Sequence, residues 1–133
     1  MSGWLLDTSA YSAFMRGHAG VKRVVQTAEE LSVTPVVLGE LHAGFRRGAH
    51  RVKNERELAT FLDSPRVTVL PVVAETARRY AVIVDGLRRA GTPIPTNDLW
   101  IAASAMEHGL TVVTLDRHYA SVPQVLVALV DGE

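Results

Sequence analysis

The chain has 133 residues, 47% of them apolar and 21% charged, which suits one domain of common size with a core of its own and excludes long disordered stretches. It has no cysteine, so disulfides, cysteine-ligated zinc, iron–sulfur clusters and thiol nucleophiles are all excluded. Fourteen basic side chains balance fourteen acidic ones, but if four isolated acids converge in a pocket the remaining surface is basic enough for a polyanionic partner.

Short apolar runs alternate with helical patterns along the chain. Trp4-Leu5-Leu6 reads as a strand ending at Asp7, and Thr8-Ser9 are good N-cap residues for a helix through about Met15. Val21, Val24, Val25 and Ala28 recur at helical spacing before a strand at Leu31-Ser32-Val33-Thr34. Pro35 suits the first turn of a helix that carries Val37, Leu41 and Phe45 inward. A more polar helix is expected from His50 to Leu62, then a strand at Val67-Thr68-Val69-Leu70. Val73, Ala77, Tyr80, Ala81, Val84 and Leu87 mark a long amphipathic helix stopped by Ala90-Gly91. The stretch from Gly91 to Thr96 holds Pro93 and Pro95 and reads as a loop. A helix from about Asn97 to His108, closed by Gly109, leads to the clearest strand, Thr111 to Leu115, with one more expected from Val125 to Leu129. The expected fold is therefore α/β: one domain over residues 1–133, with a central parallel sheet of four to five strands flanked by helices. No apolar segment approaches the ~18 residues of a membrane span. The start lacks a basic leader and Asp7 cuts its apolar run, so a soluble, cytoplasmic protein without a membrane partner is expected.

Four acids stand apart in apolar surroundings. Asp7 and Asp116 each follow an apolar run directly, which places them at the carboxyl edge of a parallel sheet, where such folds bind ligands. Asp98 lies in the first turn of its helix, and Glu40 is one turn into the helix after the second strand. Four converging carboxylates repel one another, so either some stay protonated or a cation neutralises them. Hard oxygen donors favour Mg²⁺, with Mn²⁺ as a substitute, and phosphodiester hydrolysis by water suits such an ion. Each acid also has an ordinary role: Asp7 and Asp98 as helix-terminal residues, Glu40 as a solvated flank, Asp116 as part of a turn. Thr8, Ser9, Asn97 and Thr114 neighbour the acids and are placed to orient waters or carboxylates. Arg46, Arg47, Arg51, Arg78 and Arg79 are candidate phosphate contacts for a polyanionic partner, although a basic run is commonly just a solvated helix face. The five histidines show no metal-ligand spacing and read as structural.

Asp7-Thr8-Ser9, Gly39-Glu40-Leu41-His42-Ala43-Gly44, Asn97-Asp98-Leu99-Trp100-Ile101-Ala102-Ala103 and Val113-Thr114-Leu115-Asp116 together resemble the motif series of PIN-domain ribonucleases. The length and the tail Tyr119-Ala120-Ser121-Val122-Pro123 are most similar to VapC toxins of type II toxin–antitoxin systems. The resemblance implies that Asp7, Glu40, Asp98 and Asp116 are the metal-binding, catalytic acids, with Thr8 or Ser9 and Thr114 as hydroxyl-bearing supports. It further implies a Mg²⁺-dependent endoribonuclease that cuts structured RNA such as tRNA or rRNA, a homodimer, and inhibition in a complex with a cognate antitoxin. Two other readings have sequence tests. A phosphoacceptor receiver domain would want an acid at the end of the third strand, where Leu70-Pro71-Val72 stands. A non-catalytic RNA- or protein-binding module of the same fold would be expected to have lost acids that are all present.

Overall fold

The computed structural model describes residues 3–131. Five strands, β1 (Trp4–Leu6), β2 (Leu31–Val33), β3 (Val67–Val69), β4 (Thr111–Thr114) and β5 (Leu126–Leu129), form one sheet in the order β3-β2-β1-β4-β5. Every pairing is parallel. Six α-helices connect them: α1 (Thr8–Met15), α2 (Ala19–Thr27), α3 (Pro35–Arg47), α4 (Arg51–Leu62), α5 (Ala74–Ala90) and α6 (Thr96–His108).

The strands are short, and the three inner ones, β1, β2 and β4, are buried as apolar runs in a covered sheet should be, whereas the edge strands β3 and β5 are largely exposed. Alternation sends successive side chains to opposite layers. Leu5 and Val112 join a core with Val37, Leu41, Ile83, Leu87, Ile101 and Tyr119. Leu6, Leu31, Val33 and Val113 join another with Val21 and Val25. The small residues Ala102, Ala103 and Ala105 of α6 are all buried, which lets that helix lie close against its neighbours. Gly91 and Gly109 cap α5 and α6 with φ of 72° and 65°, a left-handed conformation that glycine adopts without steric cost.

Strand order positions the site. The chain runs outward from β1 to β2 and β3, then returns through α5 and α6 to place β4 on the other side of β1. The connections therefore diverge between β1 and β4, which makes the crevice at their carboxyl ends the switch point of the sheet. The register pairs Leu6 with Val113, so Asp7, just past β1, lies beside Thr114, the last residue of β4. Helices α1 and α3 follow strands directly, and α6 runs back toward the start of β4, so all three begin at this same edge.

Two sequence expectations change. The N-cap of α1 is Asp7, whose Oδ1 accepts from the Ala10 N–H at 2.8 Å. Thr8 and Ser9 lie inside the first turn, which frees their hydroxyls for other partners. The segment after β4 is a 3-10 helix, Arg117–Ser121, capped by Asp116, where only a turn was expected.

Candidate active site

Asp7 is the most enclosed of the four acids, at 3% exposure. Its Oδ1 accepts from Ser9 at 2.7 Å and from the Ala10 N–H at 2.8 Å, and its Oδ2 from Thr114 at 2.5 Å. Burial pushes its carboxyl above the usual carboxylate range and the nearby Asp98 charge adds to that push, although the three hydrogen bonds oppose it. Thr114 Oγ1 also accepts from the Asp116 N–H at 2.8 Å, and Ser9 Oγ accepts from the Leu115 N–H at 3.0 Å. The hydroxyls of Ser9 and Thr114 thus tie the N-terminus of α1 to the end of β4.

Glu40 is half-buried and uses both oxygens. Thr8 donates to its Oε1, and the Asn97 amide donates to its Oε2 at 3.0 Å. These bonds join α3 to the N-termini of α1 and α6, so Glu40 is not the freely solvated flank that its helix position alone allows.

Asp98 and Asp116 meet through a residue that the sequence left aside. His118 Nδ1 lies 2.9 Å from Asp98 Oδ2 and 2.9 Å from Asp116 Oδ1, and the His118 N–H donates to the same Asp116 oxygen at 2.9 Å. Facing two carboxylates, Nδ1 is the donor to Asp98 Oδ2. The other oxygen of Asp98 accepts from the Tyr119 hydroxyl at 3.1 Å. Tyr119 is fully buried, and the charges of Asp7, Asp98 and Glu40 are near enough to act on its hydroxyl. Burial, followed by those three charges, drives the phenol well above its ordinary range, so it stays a neutral donor. Tyr119 is the inner point around which three of the acids gather, and His118 links the fourth. The only sequence signal for His118 is its position two residues beyond Asp116.

Among the described residues, no Lys or Arg forms an ion pair with any of the four acids; the one basic side chain in contact with them is His118. A buried carboxylate beside other carboxylates, short of basic partners, is a donor set that fits a divalent cation. Asp98, Asp116 and His118 each offer a ligand atom within 4.8 Å of the others. The candidate phosphate contacts lie elsewhere. Arg46 and Arg47 stand exposed in the last turn of α3 without an ion pair among the described residues. Arg51 pairs with Glu55 at 3.0 Å, and Arg78 and Arg79 each reach Glu75 at 2.7 Å, so much of their charge is offset on their own helices.

The sequence profile of the PIN domain matches residues 4–125. Ribonuclease VapC4 of Mycobacterium tuberculosis is 36% identical over 98 residues, covering 74% of this chain and 75% of its own. The chain belongs to the VapC branch of the PIN domain family. Ribonuclease VapC of Rickettsia bellii is 31% identical, with 96% of both chains covered. Among solved structures, VapBC-5 of Mycobacterium tuberculosis, a member of the VapBC family of toxin–antitoxin systems, superposes with a TM-score of 0.75 at 28% identity, covering 98% of this chain and all of its counterpart. The acids at the switch point of this PIN domain all lie inside the matched residues.

Proposed function

We propose that this PIN domain, formed by residues 1–133, is a Mg²⁺-dependent endoribonuclease toxin. It cuts structured RNA, tRNA or rRNA, with water as the nucleophile. The observation that carries the reading is the meeting of Asp98 and Asp116 at His118, with Asp7 and Glu40 close enough for their charges to act on the Tyr119 hydroxyl that Asp98 accepts from, in a family whose curated relatives are named ribonucleases.

Asp7, Asp98 and Asp116 would hold the cation, with Glu40 completing the set and Mn²⁺ able to substitute. A bound divalent cation acidifies water and offsets negative charge on phosphoryl oxygens. The chain's own groups provide the positioning. Ser9, Thr114 and the Ala10 N–H fix both oxygens of Asp7, and Tyr119 fixes Asp98 from below. Asn97 and Thr8 hold Glu40 at the rim, where its carboxylate would complete the metal's set or assist proton transfer from the attacking water. Arg46 and Arg47, whose charge is not paired on their own helix, are the strongest candidates for phosphate contacts, ahead of Arg51, Arg78 and Arg79.

The protein acts in the cytoplasm, forms a homodimer, and is silenced in a heteromeric complex with a cognate antitoxin. Its likeness to a VapBC-family structure supports the antitoxin; among the described residues no helix is long and apolar enough to cross a membrane. The test compares wild type with Asp98→Asn on total RNA, in Mg²⁺ and in excess EDTA. Discrete cleavage that needs both Mg²⁺ and Asp98 is expected. Cleavage by the variant, or in EDTA, overturns the assignment.

A further inference from the structure

We propose that His118 is a metal ligand in this protein, a nitrogen donor that joins Asp98 and Asp116 and biases the site from Mg²⁺ toward cations that accept imidazole. The inference rests on the reading of the acids as a metal site and adds a donor of different chemistry to it.

Three observations converge on Nδ1. It is 2.9 Å from Asp98 Oδ2 and 2.9 Å from Asp116 Oδ1. Two neighbouring donors on an octahedral ion with bonds of about 2.1 Å lie about 3.0 Å apart, so Nδ1 already has ligand spacing from both acids. The ring is also held for that position. The His118 N–H donates to Asp116 Oδ1 at 2.9 Å inside the 3-10 helix that Asp116 caps, which fixes the side chain's origin relative to the carboxylate it must share an ion with. Lastly, the site opens to solvent on this side, with side-chain exposure of 46% for His118 against 16% for Asp98. The imidazole and Asp116, whose side chain is 37% exposed, therefore stand together at the open side of the site. A bound cation would take the place of the Nδ1 hydrogen between the two carboxylates, with the ring's one remaining N–H on Nε2.

Imidazole suits later first-row ions, whereas Mg²⁺ prefers oxygen donors and keeps its waters. His118 should accordingly contribute strongly to Co²⁺ affinity and weakly to Mg²⁺ affinity. Isothermal titration of tag-free wild type and His118→Ala with each ion reads this directly. The variant is expected to lose roughly tenfold or more in Co²⁺ affinity beyond whatever it loses in Mg²⁺ affinity, and equal losses for the two ions would overturn the nitrogen donor.

Pulsed electron paramagnetic resonance of the Mn²⁺-loaded protein gives a readout independent of activity. Wild type should show hyperfine coupling from a directly bound nitrogen, and His118→Ala, still loaded with Mn²⁺, should not. Mn²⁺ bound without nitrogen coupling in wild type overturns the role of His118 and leaves the acidic metal site intact. Coupling that persists in His118→Ala assigns the nitrogen to another residue and likewise overturns it. Failure of wild type to bind any of the three ions overturns both readings together.

Discussion

Replacing Tyr119 by Phe removes one oxygen, the hydroxyl bonded to Asp98 and acted on by the charges of Asp7 and Glu40, and leaves the buried ring in its core. That hydroxyl donates to Asp98 Oδ1 at 3.1 Å. Hydrogen bonds to charged acceptors are worth about 1.5–3 kcal/mol. This one is longer than the ~2.8 Å typical of O–H···O contacts, and the variant avoids burying a hydroxyl, so a net loss of about 1–2 kcal/mol is expected. For a chain of this size that lowers Tm by roughly 3–8 °C. Asp98 keeps His118 on its other oxygen but loses its inner anchor, and loss of such an outer support costs about 10–100-fold in activity or metal affinity. The assay pairs thermal unfolding with initial rates of RNA cleavage at saturating Mg²⁺ and titration of Mg²⁺ into the metal-free protein. Wild-type Tm together with wild-type rate would refute the idea that Tyr119 holds Asp98 in place. A lower Tm with unchanged metal affinity and rate would confine the hydroxyl to stability.

Further expectations follow from the charge layout. In the metal-free protein, burial raises the Asp7 pKa above its unfolded value of about 3.9, so its contribution to stability is full below that value and is lost as pH rises through the raised folded pKa. Asp7→Asn keeps a good N-cap and should raise the metal-free Tm near neutral pH, with the difference shrinking on acidification; a pH-independent difference would contradict this. Mg²⁺ at a hundred times its Kd should stabilise wild type by about 2.7 kcal/mol, and Asp98→Asn should lose most of that shift; equal shifts in calorimetry would place the ion elsewhere. Arg46→Gln combined with Arg47→Gln should flatten the salt dependence of RNA binding, by about one unit of slope for each phosphate that the arginines neutralise. Arg78→Gln combined with Arg79→Gln should change it little, because Glu75 already pairs both.

The strands and most helix ends were legible because their signals are local. Trp4-Leu5-Leu6 and Thr111 to Thr114 are apolar runs of strand length, and Gly91 and Gly109 stop helices where a left-handed residue is needed. The carboxyl-edge location of Asp7 and Asp116 followed from strand ends alone. The site's detail was not local. Asp7, Thr8 and Ser9 are all competent caps, and only their partners decide the matter: Ala10 for Asp7, Glu40 for Thr8, Asp7 and Leu115 for Ser9. Arg117-His118-Tyr119-Ala120-Ser121 has neither apolar periodicity nor a breaker to announce a 3-10 helix. The contact of His118 with Asp98 spans 20 residues of sequence and depends on how α6 packs, so composition could class His118 only with the other histidines.

The most direct test of the central claim is the fate of oxygen during cleavage. Wild-type protein with Mg²⁺ should cut RNA in water labelled with heavy oxygen, and mass spectrometry of the fragment ends should find one labelled atom in the new terminal phosphate, with no product when Asp98 is Asn. A cyclic phosphate without label would mean that the ribose hydroxyl, not water, attacks. That result would contradict hydrolysis by metal-activated water at the four acids.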